Sequence, residues 1–462
     1  MVGLRCVPQP KKKVLMTIMQ SSHAKVAILG GGLAGLSTLW HLRKKGVREC
    51  FLFERESRVG GLARSEKVRG FIFDYTGHLL HFRNEKVRSL VVSLLKGNYH
   101  SCTRNSWIYS KGVYTRYPFQ TNLFGLPVEV VRECISEYIK ANEGRLFLEN
   151  SACSPTSLAD YSNFQEFVLK GFGEGIGRHF MFPYNEKLWT VPPASLTCDW
   201  MGRFVPGTSL DQVLEGALAD IPSRAGYNSS FIYPLAGGIE ALPRAFAEGQ
   251  EGIYCGYEAV SVDLEERTVR FQDGTRIKYE VLVSCLPLPV LAKMCHPLPA
   301  SLAELAADLR WAGVYNLSLG VDRELGDRHW IYFPEPEWLF YRVGFPHNFS
   351  PSQAPAGCGS LYVEVSYSPS RPLDKEHIAP TIKRQLQQVG IVRDSDKIRA
   401  ECALEIPCAY VLYDHNYRQC VPPLKKFLAE QGIYTIGRYG AWEYGSMEDA
   451  IRQGMETAEE IA

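Results

Sequence analysis

Near its start the chain carries a short aliphatic run, Lys25-Val26-Ala27-Ile28-Leu29, that leads directly into Gly30-Gly31-Gly32-Leu33-Ala34-Gly35. The run predicts a buried parallel strand, and the segment after it predicts a helix to about Lys45 that Gly46 stops. A second apolar run, Cys50 to Phe53, ends on Glu54, 19 residues beyond Gly35. This spacing is that of the strand, helix, strand unit of a dinucleotide-binding fold. Gly30 and Gly32 permit a tight turn and let a pyrophosphate approach the helix N-terminus. Gly35 lets helix pack on sheet, and Glu54 is placed to accept hydrogen bonds from ribose hydroxyls.

A second glycine pair follows in Arg58-Val59-Gly60-Gly61-Leu62-Ala63, where backbone again offers itself to phosphate. Two such sites favour FAD over NAD. Tyr233-Pro234-Leu235-Ala236-Gly237-Gly238, Val260 in a following strand, and Arg438-Tyr439-Gly440 stand where flavoproteins of the amine-oxidase type complete an FAD site.

Further along, alternation from Asn105 to Tyr117 predicts a hairpin, with Ser110-Lys111-Gly112 turning between Trp107-Ile108-Tyr109 and Val113-Tyr114. Pro127 to Trp200 reads as mainly helical. Gly252 to Ser284 returns to short strands, with a hairpin at Gln272-Asp273-Gly274 and a buried strand at Val281-Leu282-Val283. Asn316 to Val365 is strand-rich and aromatic, Ile433 to Ile436 is one more strand, and Glu448 to Ile461 is a final helix. Strand signals of the opening type thus recur near Val283 and Ile436. The fold class expected is α/β (α+β): a discontinuous Rossmann-like FAD-binding domain with inserted helical and antiparallel-sheet substrate domains. Residues 24–100, 228–300 and 430–462 would form the FAD-binding domain, 101–227 a hairpin and helical substrate region, and 301–429 an antiparallel-sheet substrate region. Residues 1–23, with Lys11-Lys12-Lys13 before a short apolar run, are expected to be a disordered leader, with Met16 or Met19 as alternative starts.

Composition narrows the partners. With 51 Lys and Arg against 50 Asp and Glu, the net charge is +1, so no overall field draws nucleic acid or an anionic membrane, and a bound anion must meet local charge. The apolar stretch Val281 to Ala292 contains two prolines and falls far short of the roughly 20 residues that span a bilayer. The 13 cysteines include no C-x-x-C pair, which predicts free thiols, no metal site and a cytoplasmic setting.

Six further segments carry a resemblance to a known family. They are Phe73-Asp74-Tyr75-Thr76-Gly77-His78; Tyr117-Pro118-Phe119-Gln120; Pro183-Tyr184-Asn185-Glu186-Lys187-Leu188-Trp189, with Trp200 following; Trp330-Ile331-Tyr332-Phe333-Pro334; Phe340-Tyr341-Arg342; and Gly437-Arg438-Tyr439-Gly440-Ala441-Trp442-Glu443-Tyr444. From Lys25 to the C-terminus the sequence resembles the UDP-galactopyranose mutases, particularly the eukaryotic-type branch and its bacterial relatives, within the amine oxidase and protoporphyrinogen oxidase superfamily.

The resemblance implies a redox-neutral isomerisation that interconverts pyranose and furanose forms of a UDP-sugar such as UDP-galactose. N5 of reduced FAD attacks the anomeric carbon and displaces UDP, the sugar ring opens and recloses in the adduct, and UDP returns. NADPH or NADH is the implied candidate reductant. Gly77 and His78 take the positions beside the flavin, the glycine carbonyl toward N5. Arg342 and Arg438 match positions that clamp the diphosphate, a task suited to a forked, permanently charged guanidinium. The implied cofactor-binding set is Gly30, Gly32, Gly35, Glu54, Gly60, Gly61, Leu62 and Val260, joined near the C-terminus by Arg438, Met447 and Asp449. Phe119, Gln120, Asn185, Trp189 and Asn228 match contacts to the uridine end, and Tyr332, Tyr410 and Tyr444 match tyrosines that meet diphosphate or flavin. Arg203 lies one residue before Phe204, which stands where the family has another arginine. Phe349 likewise replaces a tyrosine, and Thr76 a glycine. A nucleotide sugar is the implied partner, and the oligomeric state is left open. The residues also admit an FAD oxidoreductase of the amine oxidase or protoporphyrinogen oxidase type, because fold alone does not separate the two.

Overall fold

Val26, Ala27 and Ile28 have no exposed surface, and they lie in the strand His23–Leu29, which pairs in parallel with Cys50–Glu54 on one side and Arg276–Ser284 on the other. A strand with parallel neighbours on both edges is buried on both faces, which is why its sequence is apolar without alternation. The computed structural model describes residues 23–144, 158–202, 204–221 and 229–462. The expectations for the leader and its alternative starts, for Arg203 and for Asn228 lie outside the described residues.

The chain divides into two compact units. Of the described residues, the first contains 23–63, 242–309 and 418–462. Its eight-stranded sheet runs in the order Cys295–His296, Ala259–Asp263, Thr268–Phe271, Arg276–Ser284, His23–Leu29, Cys50–Glu54, Ile253–Cys255, with Ile433–Thr435 also beside Arg276–Ser284. The helix Leu33–Lys44 starts at Gly32, and the C-terminal helix Met447–Ile461 packs on it. A Cβ on Gly454 would come within 2.5 Å of the Ala34 carbonyl, so the two helices touch backbone to backbone there. Ser37 Oγ donates to the Ile451 carbonyl at 2.8 Å across the same contact.

The second unit contains the described residues between 64 and 241 and residues 310–417. Its seven-stranded sheet is ordered Ile398–Val411, Trp311–Val321, Gly359–Tyr367, Arg342–Gly344, Trp330–Tyr332, Ser106–Ser110, Val113–Arg116. The pairings are antiparallel except that of Trp330–Tyr332 with Ser106–Ser110. The hairpin and the later strands, assigned from sequence to separate regions, therefore share one sheet. Strand alternation splits that sheet chemically. Tyr315, Leu317, Leu319, Leu361, Val363 and Val365 pack with Ile378, Ile382 and Leu386 of the helix Ile378–Gln388 in an apolar core. The alternate positions Asn316, Ser318, Tyr362, Glu364 and Ser366 are equally buried and carry polar groups.

Residues 64–100, grouped from sequence with the first strands, sit in the second unit. The reason is that Phe71 and Phe73 of the hairpin Ser65–Val68, Phe71–Asp74 pack with Ala400, and a buried polar knot carries residues 229–241, also grouped from sequence with the first strands, along with the hairpin. Ser65 Oγ donates to Asp74 at 2.6 Å, the Ser65 amide donates to Glu240 at 3.0 Å, and the Tyr233 hydroxyl donates to Asp74. Residues 301–309 and 418–429 likewise fall in the first unit. No helix among the described residues is long and apolar enough to cross a membrane.

Candidate active site

In the first unit the two glycine segments meet. Gly30, at φ +106°, turns the chain out of its strand, and the Gly60 amide donates to the Gly31 carbonyl at 2.8 Å. Gly61 sits so close to Gly32 that a Cβ on it would be 3.1 Å from the Gly32 Cα. A Cβ on Gly32 would meet only Gly61 Cα, at 4.0 Å, so the helix N-terminus there is open and no side chain caps it. Gly35 is different, because a Cβ on it would overlap the Gly30 carbonyl. Glu54 is buried, with one carboxylate oxygen accepting the Gly31 amide at 2.7 Å and the other the Glu56 amide at 2.9 Å. Two fixed amides orient this carboxylate and leave each oxygen a lone pair for a hydroxyl. An uncapped helix N-terminus, two apposed glycine turns and an oriented carboxylate fit a dinucleotide. Leu62 follows Gly61, half-buried. Val260 falls at a register shift between Ala259 and Ser261, so it has no residue opposite it in the neighbouring strand.

The C-terminal residues of the predicted set lie in this unit as well. Arg438 donates to the Gly445 carbonyl at 2.8 Å and stands 4.8 Å from the centre of the Tyr444 ring. Asp449 is engaged in capping: its carboxylate accepts from the Ser446 amide at 2.7 Å and the Ser446 hydroxyl at 2.8 Å, and its own amide donates back. The helix that begins at Met447 is thus capped by Ser446 and Asp449.

The polar sheet face of the second unit gathers another group. Arg342 and Glu364 lie directly opposite one another on neighbouring strands. Arg342 Nε donates to Glu364 Oε2 at 2.6 Å and Nη2 donates to Oε1 at 2.9 Å. Burial is the strongest single influence and works against the arginine's charge, but the Glu364 carboxylate together with Tyr362, Tyr410 and Tyr341 outweighs it and holds the guanidinium protonated. The fork commits one edge of the guanidinium and leaves the Nη1 edge for an anion. Gly77 is seated on the same strand: its amide lies 3.4 Å from Glu364 Oε1, and any Cβ on it would overlap the Tyr362 hydroxyl. Burial pushes the Tyr362 pKa far up, so this hydroxyl stays protonated. Gly344, opposite Tyr362, makes room for its ring. Thr76, where the family carries glycine, holds φ +69°, and its hydroxyl lies 3.5 Å from His78 Nδ1.

An aromatic wall joins this group to the helix Phe182–Trp189. Phe119 stacks on Phe180 and Phe180 on Tyr184, each at 5.2 Å, and Tyr184 meets Tyr332 and Tyr341 edge to face. The Tyr341 and Tyr410 hydroxyls are 3.4 Å apart, and Trp189 meets Tyr410 edge to face. The structure therefore brings Arg342, Tyr332, Tyr410, Trp189, Asn185 and Phe119 into one connected set within this unit. Phe119 and Trp189 are fully buried, and Asn185 accepts from Trp189 Nε1 at 3.2 Å while donating to the Met181 carbonyl at 2.8 Å. Gln120 donates to the Pro206 carbonyl at 2.9 Å. Phe349 is enclosed by the rings of Phe231, Tyr233 and His329, an interior position that needs no hydroxyl. Sequence reasoning gave Glu364 and Tyr362 no role. Tyr184 lay inside a quoted segment, but nothing local marked it as the centre of the wall. Among the described residues no cluster of His, Cys, Asp and Glu is placed to hold a metal ion.

A glycine cradle on a mostly parallel sheet, together with a second unit built on a largely antiparallel sheet with one polar face, defines a Rossmann-type flavoprotein fold. The chain belongs to the flavin-containing amine oxidoreductases, whose family pattern it matches over residues 33–462. It superposes on a crystal structure of reduced UDP-galactopyranose mutase with a TM-score of 0.87 and 25% identity over 95% of each chain. It is 26% identical to protoporphyrinogen oxidase 2, chloroplastic/mitochondrial, of Arabidopsis thaliana over 55% of this chain and 52% of that one. It is 24% identical to dTDP-fucopyranose mutase of Escherichia coli over 39% of this chain and 45% of that one. The chain thus spans about half the length of these two curated relatives.

Proposed function

We propose that the chain is a flavin-dependent nucleotide-sugar mutase that interconverts the pyranose and furanose forms of a UDP-linked hexose such as UDP-galactose. The observation that carries this reading is the buried polar sheet face, where Arg342 is held by Glu364 among Tyr362, Asn316 and Ser318. An apolar substrate gains nothing from a half-buried guanidinium, whereas a diphosphate matches its free edge in charge and geometry. The likeness to two mutases of nucleotide sugars supports the same class.

The residues of the first unit fit FAD, with Gly32 and Gly61 toward the pyrophosphate and Glu54 toward a ribose. Reduced flavin would supply the nucleophile that displaces the nucleotide from the anomeric carbon. In this reading Arg342 binds the diphosphate and neutralises the charge that grows as it departs, a stabilisation made in advance by a fixed cation. Arg438 is assigned the same task. Tyr332, Tyr410 and Tyr444 donate hydroxyls to phosphate oxygens, and the Phe119, Asn185 and Trp189 wall shapes the nucleoside end. Gly77 and His78 keep the place beside the flavin, and NADPH or NADH is the proposed electron source.

The test is product analysis after incubating the reduced protein with UDP-galactopyranose and related UDP-hexoses. A furanose product without net consumption of reductant is expected. Anaerobic bleaching of the flavin by a porphyrinogen or an amine, with no UDP-sugar binding, would establish the oxidoreductase reading that the kinship with protoporphyrinogen oxidase also offers.

A further inference from the structure

We propose that Glu364 is a positioning residue through which an anion held by Arg342 sets the Gly77 peptide. This rests on the reading of Arg342 as the anion clamp. Glu364 is fully buried, and its two oxygens serve three donors. Oε2 accepts Arg342 Nε at 2.6 Å, while Oε1 is shared between Arg342 Nη2 at 2.9 Å and the Gly77 amide at 3.4 Å. The Gly77 bond is at the weak end of the range, because the guanidinium takes most of the charge on that oxygen.

An anion on the Nη1 edge draws electron-poor N–H groups toward itself and loosens the fork. Oε1 is then released toward Gly77, and the hydrogen bond that the Gly77 amide donates to it shortens. Nothing else needs to move, since Gly77 already rests on Tyr362, two residues from Glu364 on the same strand face. One carboxylate thereby reports the clamp's occupancy to a peptide on a different segment of the chain, 287 residues away in sequence.

The test is hydrogen exchange of the 75–80 segment in the flavin-loaded protein, with inorganic pyrophosphate and separately with UDP, each shown by calorimetry to be bound or not. In the wild type, bound ligand should slow exchange of the Gly77 amide about fivefold or more. Tyr362→Phe should retain this response, because it leaves the carboxylate in place. Glu364→Gln, of the same shape, should respond less than about twofold while still binding ligand. Where Glu364→Gln fails to fold, Arg342→Lys, which keeps a cation but not the fork, should lose the response.

Undiminished slowing in Glu364→Gln, or in Arg342→Lys, overturns the proposal. So does binding of either ligand to the wild type without slowing, and so does failure of both to bind. Pyrophosphate that binds and slows exchange while UDP does not bind upholds the coupling and removes the nucleotide-sugar reading.

Discussion

Arg342 and Glu364 face each other across adjacent antiparallel strands, joined by hydrogen bonds of 2.6 and 2.9 Å, and the carboxylate has no exposed side-chain surface. Removing the guanidinium strands a buried charge. Arg342→Ala is expected to cost roughly 3–5 kcal/mol of stability in urea unfolding, whereas replacing both partners with methionine should cost far less. Both variants should lose UDP binding. A double variant no more stable than Arg342→Ala would contradict this account of the pair.

Gly32 and Gly35 should separate cofactor binding from folding. A Cβ on Gly32 meets only Gly61 Cα at 4.0 Å, so Gly32→Ala should keep the stability of the flavin-free protein within about 0.5 kcal/mol and lose retained flavin. A Cβ on Gly35 overlaps the Gly30 carbonyl, so Gly35→Ala should destabilise the fold itself by roughly 1–3 kcal/mol. Flavin content by absorbance after gel filtration and unfolding of the apoprotein check the two arms. Full flavin retention by Gly32→Ala would refute the placement of the pyrophosphate.

Thr76 holds a left-handed backbone at φ +69°, a conformation that a β-branched residue adopts under strain. Glycine relieves the strain but brings greater freedom to the unfolded chain. Thr76→Gly is therefore expected to raise stability by about 0.5–1 kcal/mol, seen as a higher Tm. A fall in Tm would mean that the hydroxyl near His78 matters more than the backbone.

Asp74 gives stability a specific pH dependence. Burial pushes its pKa from 3.8 up to about 6, against the hydrogen bonds from Ser65, Tyr233 and the Ile239 amide. Between those two values the folded state keeps a proton that the unfolded state has released, so stability falls as pH rises through the window and levels off above it. The change amounts to roughly 3 kcal/mol. Relative to Asp74→Asn, the wild type should lose stability between about pH 4 and pH 6 in denaturant titrations. Parallel profiles for the two proteins would exclude Asp74 as the source.

Local chemistry made the opening unit and the hairpin legible. The Lys111 and Gly112 turn, at φ +52° and +79°, lies between the strands its sequence predicts, and the helix Leu33–Lys44 starts and stops at the glycines that mark it. Glu364 was invisible because its meaning depends on cross-strand register: only the pairing of Arg342–Gly344 with Gly359–Tyr367 puts it opposite Arg342. The merging of the hairpin into the larger sheet was hidden for the same reason, since the joining contact is a parallel pairing between residues 106–108 and 330–332. Phe119 and Trp189 were named through the family resemblance, but a matching position does not say whether a ring faces a ligand or its neighbours. Tertiary packing decides that.

The seven-stranded sheet places the Leu317 and Val363 layer and the Asn316 and Glu364 layer on opposite sides of the same strands. Exchanges at every second position of these strands therefore change the polar layer while leaving the apolar core in place. Insertion or deletion of one residue within these strands has no such latitude, because it exchanges the oily side for the reactive side along the whole strand at once. Length variation in this sheet should accordingly be confined to the connections between strands.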